Sequence, residues 1–232
     1  MSFSIDGASA ETNDKIRQAK GAFDATLKAV EKVKKAGLRF QINTTISKIN
    51  ADEVPGIAEL AKRLGANCFN PFILVPTGRG KEISEQILDP IEYESILNEL
   101  LQLKLSSDIK IRVTCAPALA RIIRQQKLEY LKDETPGCMG GRGFGFISWQ
   151  GDVQICGFLD VSAGNLLKSR YNLKKIWKES KMLNSIRDRT KTKVSCEFIG
   201  VCGGCRARAY ALSGDYLEAD PSCDYQQTRA KR

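Results

Sequence analysis

Histidine is absent from this sequence of 232 residues. Its absence excludes Ser-His-Asp and Cys-His catalysis, histidine-ligated haem and any zinc site that requires an imidazole. Long apolar runs are missing as well, since no stretch approaches the roughly 20 residues that span a bilayer. The first residues also lack the basic segment and apolar stretch of a secretory signal. The sequence therefore predicts a cytoplasmic protein with no membrane partner.

Cysteine, by contrast, is frequent and clustered. The sequence has eight cysteines, and six of them lie in its last part: Cys138, Cys156, Cys196, Cys202, Cys205 and Cys223. A cytosolic protein seldom uses so many thiols for disulfides, so their clustering favours a metal site. Glycines near these cysteines allow tight turns and supply backbone N–H donors to the sulfur atoms. Zinc and structural disulfides remain alternative interpretations.

The first half of the chain alternates strand-like and helix-like segments. The predicted strands are residues 3–6, 40–46 and 68–75, and the predicted helices are residues 23–36, 54–64 and 90–103. Gly37 and Gly65 end the first two helices. This order predicts an α/β fold with parallel strands, right-handed crossovers and the first strand at an edge. Three strands joined by two connecting helices cannot close a barrel. We therefore expect part of a larger α/β unit or, alternatively, a small three-stranded layer.

Beyond about residue 112 the chain becomes rich in glycine and short β-like pieces. Residues 144–149 and 152–155 flank a turn at Gln150-Gly151 and predict a β-hairpin. A domain boundary is therefore expected between residues 105 and 115. Cys68 lies inside a predicted strand and is interpreted as a small buried apolar residue. The last four residues, 229–232, are predicted to form a frayed tail.

Two of the predicted strands carry a polar face. Alternate side chains of a strand point the same way, so Ser4 shares a face with Asp6, and Asn43 shares one with Gln41 and Thr45. Such a face fits a surface that binds a polar ligand. A short sheet with one solvated face gives the same pattern.

Basic residues outnumber acidic ones, and the formal net charge is +9. Arg79, in a Pro-Thr-Gly-Arg-Gly turn, is either a partner for a ligand carboxylate or a solvated loop residue. Other basic residues are able to attract an anionic small molecule or nucleic acid: Arg121, Arg124, Arg187, Arg189, Lys191 and Lys193. No aromatic stacking pattern or RNA-binding signature accompanies them. Nucleic acid is therefore not expected as a partner, and most of these residues are interpreted as solvated helix faces.

The ordered cysteines and their neighbours resemble those of a known family. The series Cys138, Gly151, Cys156, Cys196, Cys202, Cys205 and Cys223, with the Cys-Gly-Gly-Cys-Arg-Ala-Arg-Ala-Tyr run at 202–210, is similar to the SPASM domain, the auxiliary-cluster domain of many radical SAM enzymes. Ser4-Ile5-Asp6-Gly7 and Asn43-Thr44-Thr45 resemble the fourth and fifth strands of the radical SAM partial barrel. Residues 41–45, 74–80 and 202–210 are most similar to the iron-coproporphyrin decarboxylases of the alternative haem pathway.

This resemblance covers essentially the whole chain and implies its organisation. Residues 1–110 are expected to be the back half of a radical SAM partial (β/α) barrel, with its last three strands. Residues 111–232 are expected to be a small cysteine-rich α+β SPASM domain. The polar strand face is assigned to S-adenosylmethionine, with Ser4 and Asn43 as contacts and Arg79 as a further binding residue. The implied cofactor is one or more [4Fe–4S] auxiliary clusters, the implied small-molecule substrate is an iron porphyrin, and no catalytic residue is assigned.

The resemblance also sorts the cysteines into two ligand sets. The first set is Cys138, Cys156 and Cys205, with Cys115 as a fourth ligand or as a structural thiol. The second set is Cys196, Cys202 and Cys223, and it lacks its usual fourth member.

Two departures from the family pattern bear on what the chain does alone. The sequence lacks the Cys-x3-Cys-x2-Cys triplet whose [4Fe–4S] cluster reduces S-adenosylmethionine, and the Gly-Gly-Glu-type segment that grips the methionine amine. Lys193 stands where the family usually has another cysteine, so one cluster is expected to have three protein thiolates or not to form. We therefore interpret the chain as a fragment or a split subunit. Its N-terminal radical SAM half is then a possible partner on another chain, needed for S-adenosylmethionine to bind.

The leading hypothesis is the C-terminal portion of a radical SAM/SPASM oxidoreductase of haem synthesis, which decarboxylates propionate side chains oxidatively. Its auxiliary cluster is expected to accept or relay an electron, since cysteine-ligated clusters are redox tunable. One alternative is a SPASM enzyme that matures a peptide or a cofactor. Another is a non-enzymatic zinc-stabilised module that binds nucleic acid.

Overall fold

Residues 1–225 are described by the structure, which is a computed structural model, and the predicted tail at residues 229–232 lies outside them. By their internal contacts these residues divide into two units. The first is Met1–Leu74 with Glu85–Ala116, and the second is Val75–Ser84 with the chain from Pro117 onward. Among the helices of residues 1–225, none has the length and apolar character needed to cross a membrane.

A parallel sheet forms the centre of the first unit. Its four strands follow chain order across the sheet: β1 (Ser2–Ser4), β2 (Gln41–Ile46), β3 (Cys68–Ile73) and β4 (Lys110–Ile111). The register places Ser4 beside Asn43 and Asn43 beside Asn70. As predicted, β1 lies at the edge of the sheet. The prediction of three strands was wrong, since the sheet has four. β4 was missed because it has only two residues and lies where the domain boundary was expected.

The helices of the first unit are α1 (Ala10–Arg17), α2 (Ala22–Lys35), α3 (Val54–Leu64) and α4 (Pro90–Ser106). The three predicted helices are confirmed as α2, α3 and α4. Gly65 ends α3 in the left-handed conformation, with φ of 82°. Asp89 begins α4 with a capping box in which its carboxylate accepts the Glu92 N–H. α1 was not predicted, because Ile16 is its only large apolar residue.

Alternation along β2 separates a buried face of the sheet from a polar one. Ile42, Thr44 and Ile46 are buried, whereas Gln41, Asn43 and Thr45 are partly or fully exposed. This outcome confirms the predicted alternation. The apolar core cluster of the unit takes residues from the strands and from α2 and α3: Ile5, Phe23, Val30, Phe40, Ile42, Ile57, Ala58, Leu60, Ala61, Ala66, Phe69 and Ile111.

Buried polar side chains join the ends of β1 and β2. Asn50 is fully buried, and its Nδ2 donates to the carbonyl oxygens of Asp6 (2.8 Å) and Thr45 (2.9 Å). Its Oδ1 accepts the Ser47 N–H (2.9 Å). Asp6 accepts the Thr45 N–H (2.7 Å) and pairs with Arg17 (2.7 Å). Burial raises the pKa of Asp6 even though the Thr45 N–H and Arg17 oppose this shift.

Asp6 is therefore a structural residue of this junction. The expectation that it shares an open, ligand-facing surface with Ser4 was wrong, because only 3% of Asp6 is exposed.

The second unit combines a small antiparallel sheet with short helices. The strands are β5 (Phe146–Ile147), β6 (Asp152–Gln154) and β7 (Gly164–Asn165). The helices are α5 (Leu119–Gln125), α6 (Leu173–Glu179), α7 (Lys181–Arg187), α8 (Ile199–Cys202) and α9 (Arg206–Ser213). β5 pairs antiparallel with β6, which confirms the predicted hairpin. Short 3-10 turns lie at Ala51–Glu53, Gly78–Gln86, Glu129–Leu131 and Arg189–Lys191.

The substitution Asn50→Ala is predicted to destabilise the first unit by at least 2 kcal/mol, about the cost of two buried polar groups without partners. It leaves the carbonyl oxygens of Asp6 and Thr45 and the N–H of Ser47 without their partner. Urea unfolding followed by circular dichroism measures this loss. Gln102→Ala, on the exposed side of α4, is the control and should stay within about 0.5 kcal/mol of the parent. Equal stability of the two variants would contradict the role of Asn50.

Candidate metal centre

Five cysteines of the second unit lie in loops and at helix ends. Cys138 precedes the hairpin, Cys156 follows β6, Cys202 ends α8, Cys205 immediately precedes α9 and Cys223 follows α9. The Cys138 N–H donates to the Cys202 carbonyl oxygen (2.9 Å), which joins the start of the hairpin segment to α8. Cysteines distant in sequence are thus brought to one region of the unit.

Several thiols of this region are near enough to act on one another's charge. Burial is the largest cause that raises the pKa of Cys156, Cys202 and Cys205, and a second thiol adds to it in each case. The second thiol is Cys138 for both Cys156 and Cys205, and Cys223 for Cys202. Each of these interactions joins two members of one ligand set implied by the resemblance. The pKa values of Cys202 and Cys205 reach about 12, so both groups are protonated at neutral pH unless a metal binds them.

No three thiol or carboxylate side chains of residues 1–225 converge as they do around a single metal ion. An iron–sulfur cluster holds its cysteine sulfurs farther apart, because the cluster itself lies between them. The absence of such a group among residues 1–225 is therefore no argument against a cluster bound by these cysteines.

The other three cysteines are all half-buried and differ in their backbone setting. Cys196 is half-buried before α8, where its carbonyl oxygen accepts the Ile199 N–H (3.1 Å). Cys115 belongs to the first unit and has a φ of 60°, which is uncommon for a residue other than glycine. Cys68 lies in β3, half-buried rather than buried as predicted, and its Sγ donates to the Phe69 carbonyl oxygen (3.5 Å).

The turn between Cys202 and Cys205 requires glycine at both of its central positions. Gly203 and Gly204 have φ values of 76° and 58°, in the left-handed region. A Cβ atom on Gly203 would lie 1.0 Å from Nη1 of Arg189, so the position also leaves no space for a side chain. The Gly204 N–H donates to Sγ of Cys202 (3.3 Å), which is the amide-to-sulfur contact expected from the sequence.

A buried ion pair fixes the segment that carries Cys205. Arg208 and Asp220 are almost fully buried, and the guanidinium donates from Nε and Nη2 to the two carboxylate oxygens at 2.7 Å each. The same carboxylate accepts the Cys205 N–H (2.8 Å). Burial acts to raise the pKa of Asp220, but Arg208 and the Cys205 N–H outweigh it and lower the pKa. The start of α9 is thereby tied to the loop before Cys223.

Lys193 occupies the position where the family pattern has a cysteine. Its Nζ pairs with Asp215 (2.9 Å) and Glu218 (2.8 Å), and its backbone N–H donates to the Leu217 carbonyl oxygen (2.9 Å). Hydrogen bonds to the two carboxylates raise the pKa of Lys193. The lysine is thus a charged residue committed to a surface ion pair, and it is no candidate for a metal ligand.

The basic residues of this unit are less solvated than the sequence suggested. Arg121 is only 3% exposed and lies over the ring of Tyr225, 5.1 Å from the centroid. Arg187 stacks on Trp177 at 4.7 Å. Arg121 and Arg187 are therefore exceptions to the interpretation that most of the basic residues are solvated, because aromatic rings cover their guanidinium groups.

The donor set and its surroundings fit an iron–sulfur cluster. Thiols supply the ligands that such clusters take, and a backbone N–H already points at one sulfur. Buried guanidinium nitrogens without a hydrogen-bond partner within residues 1–225 occur on Arg187, Arg189 and Arg206, and the last two of these arginines pack against the Cys202–Cys205 turn. Such donors match an anionic group bound among the cysteines. The sequence analysis did not select Arg206, Arg208 or Asp220, although the Arg-x-Arg that follows Cys205 was a usable signal.

The first unit carries a separate row of polar side chains across its sheet. Asn43 Oδ1 accepts from Gln41 Nε2 (2.9 Å) and from Asn70 Nδ2 (3.2 Å), and Asn70 Oδ1 accepts from Thr114 Oγ1 (3.0 Å). Ser4 is the register partner of Asn43 on β1. The row brings Ser4 and Asn43 together as predicted from their strands. Asn70 and Thr114 were missed, because their alignment with Asn43 is visible only once the register is known.

Arg79 is exposed and lies in the 3-10 segment Gly78–Gln86. The part of this segment up to Ser84 groups with the second unit, whereas Ser4 and Asn43 belong to the first.

Comparison with known proteins gives consistent matches. Residues 138–206 match SPASM, described as an iron-sulfur cluster-binding domain. The AdoMet-dependent heme synthase of Methanosarcina barkeri is 44% identical over 97% of this chain and 67% of its own length. The enzyme of the same name from Nitratidesulfovibrio vulgaris is 38% identical over 98% of this chain and 65% of its own length. The chain thus spans about two thirds of the length of these relatives.

More distant relatives and solved structures agree with this placement. The mycofactocin maturase MftC of Mycolicibacterium smegmatis is 28% identical over 96% of this chain and 56% of its own length. Streptococcus suis SuiB, in its complex with precursor peptide SuiA, covers 96% of this chain with 53% of its own, at a TM-score of 0.67 and 15% identity. The enzyme anSMEcpe, with bound AdoMet and a peptide, covers 97% of this chain with 65% of its own, at a TM-score of 0.63 and 18% identity. These two structures share the fold of the chain.

The α/β fold with its parallel sheet, the SPASM match over the cysteines and the 44% identity to a heme synthase lead to one conclusion. The chain belongs to the radical SAM/SPASM family, in the group of the AdoMet-dependent heme synthases.

Proposed function

We propose that this chain supplies the C-terminal two thirds of a radical SAM/SPASM oxidoreductase of haem synthesis, which decarboxylates propionate side chains of an iron porphyrin oxidatively. The observation that supports this most strongly is the 44% identity to the Methanosarcina barkeri heme synthase over 97% of the chain. The peptide-maturing relative in Mycolicibacterium smegmatis is 28% identical over a similar span. The difference favours a tetrapyrrole over a peptide as the substrate.

The proposed ligand cysteines would hold the auxiliary [4Fe–4S] clusters. Cys138, Cys156 and Cys205, with Cys115 as a candidate fourth ligand, are proposed for one cluster. Cys196, Cys202 and Cys223 are proposed for a second one. When bound, such a cluster supplies a one-electron acceptor or relay. Asp220 and Arg208 would keep the Cys205 segment in place, since their ion pair is already formed.

The first unit would contribute part of the surface for S-adenosylmethionine. Ser4 and Asn43 are the proposed contacts, and Asn70 and Thr114 hold the Asn43 side chain in position through the polar row. Arg79 is proposed to pair a carboxylate of cofactor or substrate. The sequence contains no Cys-x3-Cys-x2-Cys triplet. We therefore propose that the chain alone does not cleave S-adenosylmethionine and acts together with an N-terminal radical SAM half.

Anaerobic reconstitution of the chain is predicted to load about four or eight iron atoms per chain with equal acid-labile sulfide, as one or two [4Fe–4S] clusters require. Cys205→Ala should lose at least one cluster, because it removes a buried thiol of the proposed ligand set. Cys68→Ala is the matched control, since this thiol lies in β3 of the first unit, and it should keep the full iron content. Iron, sulfide and zinc analysis gives the readout. One tightly held zinc without sulfide would refute the cluster and favour a structural zinc module.

A chimera tests the enzymatic proposal directly. The chain is fused to the N-terminal segment of the Methanosarcina barkeri heme synthase, which is proposed to supply the missing radical SAM half. The chimera is predicted to convert S-adenosylmethionine to 5′-deoxyadenosine and to release CO2 from iron coproporphyrin, whereas the isolated chain does neither. Turnover of S-adenosylmethionine by the isolated chain would contradict the proposal. A chimera that modifies a short precursor peptide and leaves the porphyrin unchanged would support the peptide-maturing alternative.

Asn43→Ala in the same chimera is predicted to raise the KM for S-adenosylmethionine roughly five- to tenfold, which corresponds to the loss of about one hydrogen bond. Gln102→Ala is the control and should leave KM unchanged. An unchanged KM in the Asn43 variant would remove this residue from the cofactor surface.

A further inference from the structure

Arg189 is held beside the cysteines with most of its donors unused. It begins the 3-10 turn that follows α7, and its side chain is half-buried. Nη2 donates to the carbonyl oxygen of Cys138 (2.8 Å). Nε and Nη1 are buried and have no hydrogen-bond partner within residues 1–225. Guanidinium groups carry five N–H donors, so such a placement is costly unless another acceptor is present.

The groups that interact electrostatically with Arg189 do not neutralise its positive charge. The groups that act on its charge are two further guanidiniums, Arg142 and Arg206, and the thiols of Cys138 and Cys202. No carboxylate of the described residues is among them. A half-buried cation beside other cations requires an anion to be stable. The two thiols are the only groups of this set able to become anionic, and they do so when they bind metal.

The two glycines between Cys202 and Cys205 leave space for arginine side chains, including the guanidinium of Arg189. A Cβ atom on Gly203 would lie 1.0 Å from Nη1 and 2.1 Å from Cζ of Arg189, so any side chain there displaces the arginine. Gly204 has the same relation to Arg206, whose Nη2 would lie 2.3 Å from a Cβ atom. Arg206 differs from Arg189 in its role, because its Nη1 donates to the carbonyl oxygens of Tyr216 (3.0 Å) and Glu218 (2.8 Å) and fixes a loop. Arg189 makes one backbone contact and leaves the N–H groups of two buried nitrogens, Nε and Nη1, for a ligand.

We propose that Arg189 is a positioning residue that sets the reduction potential of the auxiliary iron–sulfur centre, with its free N–H donors and its positive charge directed at the cluster and its thiolates. The potential of such clusters depends on hydrogen bonds to sulfur and on nearby charge. The relevant step is the gain of one electron by the oxidised cluster, which makes its charge one unit more negative and breaks no bond. A neighbouring cation stabilises the reduced form and raises the potential. This inference rests on the proposed function, since it requires a cluster to bind.

Arg189→Gln and Arg189→Lys test the inference in the full chain after anaerobic reconstitution. Dithionite supplies the electron, and a mediated titration followed by electron paramagnetic resonance gives the midpoint potential. Arg189→Gln should lower the equilibrium constant for reduction about tenfold, which is a fall of about 59 mV for one electron. Arg189→Lys keeps the charge but not the fork of donors, and should fall by less. Arg170→Gln removes an exposed arginine of the same unit and should leave the potential unchanged.

The outcomes distinguish a failure of the proposed cluster from a failure of the proposed role of Arg189. A parental chain that takes up no iron and sulfide overturns the proposed cluster and this inference with it. A parental chain that carries a cluster whose potential is unchanged by Arg189→Gln overturns the role of Arg189 alone. If Arg189→Gln fails to fold or to load iron, Arg189→Lys decides. A fully loaded lysine variant with a lowered potential supports the inference, and one with the parental potential, or one that also fails to load iron, refutes it.

Discussion

The carboxylate of Asp220 is the constraint on which the cysteine region depends. It binds Arg208 through both oxygens and accepts the N–H of Cys205, so one buried group orients the start of α9 and the loop that leads to Cys223. Removal of one partner of such a pair leaves a buried charge unpaired, at a cost of about 3–5 kcal/mol. The pair uses only protein groups, so the segment carrying two of the proposed ligands is held by contacts that do not involve the metal.

A second feature of the cysteine region is that positively charged guanidinium groups lie beside neutral thiols. Burial keeps Cys202 and Cys205 protonated, with pKa values of about 12, while Arg189 and Arg206 hold unpaired donors beside them. Each feature is unfavourable by itself. Together they describe a site prepared for an anionic centre that converts the thiols to thiolates and gives the guanidiniums an acceptor. The two glycines of the turn are required because the backbone must adopt left-handed φ values and must leave room for the arginines.

Local sequence pattern was sufficient for the elements whose signal is local. α2, α3 and α4 follow from apolar periodicity and end signals, and the hairpin follows from its Gln150-Gly151 turn. β4 and α1 were missed, because two residues or one large apolar side chain give no periodic signal. The residues of the candidate sites also fall into those found from the sequence and those that depend on the fold. Spacing and resemblance selected the cysteines, but the partners of Asn43 depend on strand register, and the burial of Arg121 and Arg189 depends on tertiary packing. A charged residue in a sequence does not reveal whether water or a protein interior surrounds it.

The ion pairs of Lys193 have a consequence for any attempt to place a thiol at this position. Asp215 and Glu218 both engage the ammonium group. Replacement of the lysine by cysteine would leave two neighbouring carboxylates without this cation. The effect of such a replacement therefore depends on residues 215 and 218, and a neutral ligand at position 193 requires changes at those two positions as well.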